Sequence, residues 1–333
     1  MPVVPKQDEK AFWHAMTPPH GLLKRLLLVG RIAATVLIAA YVYGRVNWIS
    51  LEAALRSTRP TPMACAVLLQ GCSIALAVTR WRKLLAEQGI NVSWPRAGRL
   101  SLVGLFFNLL FPGSIGGDAA RFLGMIKHAP GRRHRLALSL VHDRVMGLGA
   151  LLLLVSVFLV SLQSDFGGDR ALHSLSIGIP CACAAFFLLA GTFRLLGRSL
   201  ATLAEGRPPG WAGQGLQAFC AVFPKKVFLP ALALSLANHA LYVAVGCLAA
   251  NALGVPIAYA DAAIVFCVTA LALSLPITIA GVGVRDGMII WMLSAFGFKD
   301  TGAAAAVSAC MLGVALFWAF IGGLAFYWPM RPE

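Results

Sequence analysis

Eight stretches of this chain are apolar over about the length that crosses a bilayer as helix, and mostly short polar loops separate them. A hydrocarbon core roughly 30 Å thick takes about 20 helical residues, and no ten-residue alternation of the kind that builds a membrane barrel occurs. Six stretches read as complete spans: 26–44, 62–79, 137–163, 174–193, 227–251 and 302–328. Two others, 100–126 and 259–297, are interrupted at their middle by Pro112 with Gly113, Gly116 and Gly117, and by Pro276 with Gly281 and Gly283. Proline removes a helix hydrogen bond and glycine lowers helix propensity, so each interrupted stretch is expected to be two half-helices meeting at an irregular turn. Such a turn survives at membrane depth only where protein or a wet cavity covers it. The expected fold is an all-α polytopic integral membrane protein with six full spans and two re-entrant broken-helix hairpins, in one membrane domain covering 1–333.

Charge supports that reading. Only 12% of the 333 residues are charged, against about 25% in soluble proteins, and no room is left for a soluble catalytic domain. The net charge of +15 comes from basic residues scattered among short loops, which fits positive-inside topology rather than nucleic-acid binding. With the N-terminus inside, the pieces 1–25, 80–99, 127–136, 194–226 and 329–333 face the cytoplasm and hold 19 Lys and Arg. The outer pieces 45–61, 164–173, 252–258 and 298–301 hold 5. Both termini are thus expected to be cytoplasmic. The eight cysteines lie mostly in apolar runs without a CxxC pair and read as small buried residues rather than metal ligands or disulfides.

This topology makes the first hairpin open to the cytoplasm and the second to the outside, so 26–163 and 174–328 are expected to be inverted repeats. A duplicated pattern marks the matching places. Pro112, Ile115, Gly117 and Arg121 in LLFPGSIGGDAAR recur as Pro276, Ile279, Gly281 and Arg285 in LSLPITIAGVGVR, both reading P-x-x-I-x-G-x-x-x-R. Matched, Pro/Gly-interrupted segments in two halves of a transporter point to a substrate site at the repeat interface. Helix packing by small residues is the plainer alternative.

Four basic residues remain inside apolar segments: Arg31, Arg121, Arg144 and Arg285. Arg31 lies near the start of its span and can snorkel. A charge at the bilayer centre costs at least ~2.5–3.5 kcal/mol on insertion scales, so the others are expected to be paired, cavity-facing or functional. Asp118 suits the N-cap of the outgoing half-helix and lies three residues from Arg121, close enough to pair on one face. Free amides at that helix end, together with Arg121, could instead cradle an anionic group such as a lipid phosphate. Arg285 and Asp286 are adjacent and point about 100° apart, so each needs a partner elsewhere, with Asp143 and Arg144 as candidates. His142, Asp143 and Arg144 read either as an interfacial cluster or as a network that changes partners during transport. Asn238, His239 and Tyr242 form a polar patch suited to interhelical hydrogen bonds or substrate contact, and Asn108 adds a polar group before Pro112. Trp81 and Trp94, flanked by Arg80, Arg82, Lys83, Arg96 and Arg99, read as an interfacial belt able to gather anionic lipid.

The stretch FFNLLFPGSIGGDAARFLGMIK, the DR of VHDRVMGLGALLLL and the later LPITIAGVGVRDG resemble the membrane region of the lysylphosphatidylglycerol synthase/flippase family, from about residue 25 to 328. The resemblance implies movement of a lipid across the bacterial inner membrane. In that family, headgroup transfer belongs to a separate soluble domain, absent from this sequence, so lipid aminoacylation is not expected. The family often has Glu after Arg in the second motif, where Asp286 stands here. A substrate site is expected from Arg121, Arg285, Asp118, Asp286, Asp143, Arg144 and Asn108, with Gly116, Gly117, Gly281 and Gly283 shaping it.

The function expected is a lipid flippase or transporter. No GxxxxGK[ST] loop occurs, so no nucleotide cofactor is expected and the driving force would come from an ion gradient, membrane potential or lipid consumption. Expected partners are membrane lipids with an anionic headgroup as cargo, and a second copy of the chain or a lipid-modifying enzyme. Two alternatives stand beside it: a membrane enzyme acting on a lipid-linked substrate, with Asp118, Asp143 or Asp286 as base, and a small anionic solute transporter.

Overall fold

A computed structural model describes residues 22–110, 115–129, 131–162, 170–203, 225–275 and 281–327, and its described residues form eleven α-helices with one short 3-10 turn. Motif positions Pro112, Pro276 and Ile279, the side chains of Ile115 and Arg31, and Cys220 lie outside the described residues. The helices are α1 (Leu22–Tyr43), α2 (Trp48–Arg56), α3 (Pro60–Glu87), α4 (Trp94–Leu110), α5 (Ile115–Met125) and α6 (Arg133–Ser161). They continue with α7 (Arg170–Leu203), α8 (Lys225–Ala252), α9 (Tyr259–Ser274), α10 (Val284–Ala295) and α11 (Thr301–Tyr327). The chain is a multi-pass α-helical membrane protein.

Among the described residues, five helices are long and apolar enough to cross a bilayer, beginning at Pro60, Arg133, Arg170, Val227 and Thr301. The expected span 26–44 is different in kind. It ends at Tyr43 and turns through 86° into α2, so it adds a sixth crossing only when the bent pair counts as one. Residues 45–61, expected as a loop, contain α2, whose first turn is closed by the Asn47 side chain accepting from the Ser50 amide at 3.2 Å. The expected loop 80–99 is also shorter. Nothing between Thr79 and Glu87 breaks a helix, so α3 runs on until Gly89, whose φ of 73° turns the chain. Arg80, Trp81, Arg82 and Lys83 are helical as a result.

The interrupted stretches do form pairs of half-helices, α4 with α5 and α9 with α10. In the first, Gly104 faces Gly117 and Leu100 faces Gly124, which makes the arms antiparallel. In the second, Gly281 and Gly283 take φ of 73° and 79°, a region L-residues rarely adopt, and Gly283 caps α10.

The bundle centres on α3 and α8, which run antiparallel in long contact; the Arg59 amide donates to the Ala252 carbonyl at 2.8 Å where α3 begins and α8 ends. α3 is about 42 Å long at 1.5 Å per residue. The entry to α4 lies at its far end, where Arg82 Nε donates to Val92 O at 3.0 Å and Arg132, leading into α6, donates to Gly89 O. The entry to α9 lies at its near end, just beyond Ala252. The two hairpins therefore open at opposite ends of α3. Their first arms cross over: α4 packs on α11, and α9 packs on α6. Each hairpin has its own core, one around Trp81, Leu100, Phe107 and Met125, the other around Phe266, Ile264, Ile289 and Met292.

At the near end, α2 is fastened to α11. Asp300 accepts from the Gly302 and Ala303 amides at 2.9 and 3.1 Å as the N-cap of α11, and Ser50 Oγ donates to its two oxygens at 2.7 and 2.5 Å. The Ser50 hydroxyl, helped by those amides, holds the Asp300 carboxyl below its ordinary value of 3.8. A lowered carboxyl pKa stabilises the fold above the unfolded value of about 3.9, and the gain is lost as pH falls through the folded pKa. Asp300→Ala is expected to cost about 0.5–2 kcal/mol at neutral pH, the usual worth of an N-cap. The gap in thermal midpoint between the variant and wild type should narrow below pH 4; an equal gap at pH 3 and pH 7 would contradict this role.

Candidate functional site: two cationic cavities at the hairpin breaks

The polar seam between α3 and α8 leads to the site. Ser73 and Arg80 are two turns apart on one face of α3 and meet Asn238 and Ser235 on α8: Ser73 Oγ donates to Asn238 Oδ1 at 2.8 Å, and Arg80 Nη1 to Ser235 Oγ at 2.9 Å. Arg80 is 7% exposed, and its Nε donates to Asp143 Oδ1 on α6 at 2.7 Å. The other oxygen of Asp143 accepts from Arg121 Nη1 on α5 at 3.2 Å. One buried carboxylate thus bridges the central helix α3 and the first hairpin.

Arg121 also lies over the buried Trp81 ring, its guanidinium carbon 5.1 Å from the centroid, a cation–π contact. Trp81 is fully buried and does not belong to an interfacial belt. Arg144, the next residue of α6, is half-exposed and donates from Nε to Asp118 Oδ2 at 2.7 Å. The expected Asp118–Arg121 pair within α5 is therefore replaced by two ion pairs to α6. Asp118 is not the N-cap either, because α5 already begins at Ile115 and places it at the end of the first turn. The capping work at this break falls to Asn108, whose Oδ1 accepts from the Gly117 amide at 2.8 Å. A Cβ on Gly117 would lie 2.6 Å from that oxygen, so glycine is what lets the two arms meet there.

These groups line a cavity of about 590 Å³: Arg80, Arg121 and Arg144, Asp118 and Asp143, with Asn108, Gly117 and His239 among the remainder. Three cations face two anions, which leaves the lining positive. His239 is held to the Gly147 carbonyl at 2.9 Å, so it and Asn238 serve interhelical hydrogen bonds. Tyr242 packs against the second core. His142 is buried beside Asp143 with neither ring nitrogen hydrogen-bonded.

A second cavity of about 230 Å³ lies against the other break, lined by Arg285, Gly281, Val284, Leu273, Gln70 and Trp318 among others. No acidic side chain lines it among the described residues. Asp286 turns away from both cavities. Its Oδ2 accepts from Tyr43 Oη at 2.8 Å and from the Gly283 amide at 3.0 Å, and its Oδ1 from Ser308 Oγ at 2.5 Å. Asp286 thus ties the second hairpin to α1 and α11, and its expected partner Arg144 is engaged by Asp118 instead. Gly283 is buried against Ala39, and Gly116 is buried in α5; neither lines a cavity.

The structure therefore gathers Arg121, Asp118, Asp143, Arg144, Asn108 and Gly117 in one cavity, and Arg285 and Gly281 in the other. It adds Arg80, which its place beyond an apolar run had assigned to a loop. The seven-residue spacing of Ser73 and Arg80 was the available signal.

A model of the lysylphosphatidylglycerol synthase transmembrane region matches residues 26–331. The chain belongs to that family. No curated protein matches it. The lysylphosphatidylglycerol synthase membrane region is associated with membrane lipid, and both motif arginines of this member stand at cavities beside broken helices.

Proposed function

We propose that the chain moves a lipid with an anionic headgroup across the bacterial inner membrane by alternating access, with both termini cytoplasmic. The observation that carries this reading is the pair of positive cavities, each holding one arginine of the duplicated motif. Hairpins that open at opposite ends of α3, and first arms that cross to the other half, support inverted repeats at 26–163 and 174–328. In this reading the acyl chains stay in lipid while the headgroup passes along the cavities.

The ion pairs suit such a cargo. A phosphate entering the larger cavity can take over Arg121 and Arg144 with charge-assisted bonds comparable to those they make with carboxylates. Asp143 does not then become an uncompensated buried charge, because Arg80 still holds it. Cargo binding would so release α5 from α6 at modest electrostatic cost, and release is what one half rocking against the other requires.

Purified protein in liposomes carrying fluorescent anionic, zwitterionic and neutral lipids tests the proposal. Exchange of the anionic lipid between leaflets is expected to exceed that of protein-free vesicles and of neutral lipid. Exchange no faster than in empty vesicles across all classes would rule the proposal out. Unchanged lipid composition is expected alongside, since the reading includes no group transfer.

A further inference from the structure

The two cavities share two lining residues, Asn108 and Leu275. Each comes from a different hairpin, and each sits at the end of that hairpin's first arm: Asn108 in the last turn of α4, Leu275 as the residue that ends α9. Among the described residues, the ends of the two first arms thus stand between the Arg121 cavity and the Arg285 cavity. We infer that Asn108 and Leu275 form a gate between two half-paths, and that their bulk sets whether a charged headgroup, or a small anion, passes from one arginine to the other. The inference rests on the transport reading for its lipid arm, and on the cavities alone for its small-anion arm.

The two residues are unlike in chemistry and in attachment. Asn108 is fixed, because its side-chain oxygen holds the Gly117 amide across the break at 2.8 Å. Leu275 has no such tie. It is 58% exposed, and its backbone has already left the helix with ψ of 127°. Side-chain rotation at Leu275 and displacement of its hairpin are therefore the cheaper ways to open the wall. A wall with an apolar side chain on one side resists a hydrated anion, as apolar constrictions do in channels. A polar amide on the other side gives the headgroup one hydrogen-bonding group between its two arginines. Opposite hairpins supplying the two sides also means that relative motion of the halves changes the gap directly.

Leu275 is the residue to vary, since Asn108 also caps α5 and its loss would disturb the break. Leu275→Gly and Leu275→Trp are each compared with wild type in proteoliposomes. One readout is fluorescent anionic lipid exchange, and the other is efflux of trapped nitrate. Leu275→Gly is expected to raise nitrate efflux at least tenfold over wild type, and Leu275→Trp to lower lipid exchange at least tenfold. Matched thermal unfolding and matched monodispersity establish that both variants are folded; Leu275→Phe replaces the tryptophan variant, or Leu275→Ala the glycine variant, where one is not. If wild type exchanges lipid and neither variant changes either readout, the gate is overturned while the flippase reading stands. If wild type exchanges no lipid but Leu275→Gly opens a nitrate leak, the gate stands and the flippase reading falls.

Discussion

Asp143→Ala is expected to lower stability by about 3–5 kcal/mol, the range for breaking a buried ion pair from one side. Its carboxylate is 10% exposed as a side chain and answers two arginines, Arg80 at 9% and Arg121 at 15%. Removing it leaves two guanidinium groups facing each other across the space it occupied. Ser235 on Arg80 and the Trp81 ring beneath Arg121 offset only part of that, because neither carries a formal negative charge. Thermal unfolding in nanodiscs should show the loss. The double variant Arg80→Met with Asp143→Leu should be less destabilised than the sum of the single changes, since residues in one network couple. A midpoint for Asp143→Ala within the range of ordinary surface substitutions, about 0.5 kcal/mol, would show that the bridge does not hold the hairpin to the bundle.

Arg121→Ala should behave in the opposite way. Asp143 keeps Arg80, so the fold is expected to survive, and the loss should appear in transport. A charge-assisted hydrogen bond to an anionic headgroup is worth about 1.5–3 kcal/mol, which corresponds to roughly a 10- to 150-fold loss in apparent affinity. Arg285→Ala, in the second cavity, is expected to give a loss of the same order. Initial exchange rates across a series of lipid concentrations, measured with matched protein content, provide the check. Arg121→Lys should recover part of the loss, because a point charge attracts phosphate without the planar fork of guanidinium. Transport unchanged in both alanine variants would leave the duplicated motif as architecture.

The two experiments separate roles that lie 22 residues apart in the chain and a single contact apart in space. In the proposed transport, Asp143 is chiefly a support, and Arg121 is chiefly a contact for cargo. Arg144 and Asp118 stand between these extremes, being paired with each other and, at 47% and 28% side-chain exposure, more open than the bridge. Their exposure makes the pair easier for an anion to separate than the buried Arg80–Asp143 bridge.

Much of this was legible locally. Pro112 and the following glycines place a break after Leu110, and Pro276 with Gly281 and Gly283 place one between Ser274 and Val284, because the loss of a backbone donor and positive φ act within a few residues. The long apolar runs likewise locate five crossing helices, although the one expected at 62–79 runs on to Glu87. Arg121 and Arg285 stood out because an isolated charge in an apolar run is costly wherever the helix packs. Arg80 did not stand out. It follows an apolar run directly, beside Arg82 and Lys83, and by hydropathy such a cluster is indistinguishable from a membrane-surface loop.

Partner choice was only partly legible. Asp118 and Arg121 have the spacing of an intrahelical pair, yet each bonds to α6, because α5 packs with that face against Asp143 and Arg144. Asp286, expected to find a partner away from the adjacent Arg285, bonds to Tyr43, Ser308 and its own helix end rather than to Arg144. The sequence by itself determined the membrane class, the two breaks and the residues carrying charge into the bundle, since these depend on averaged hydropathy and on backbone chemistry at single positions. Only the tertiary structure decided which charges meet, which of them face a cavity, and that Asn108 and Leu275 stand between the two cavities. Those depend on the rotation and crossing of whole helices, a relation between residues distant in the chain that no local spacing encodes.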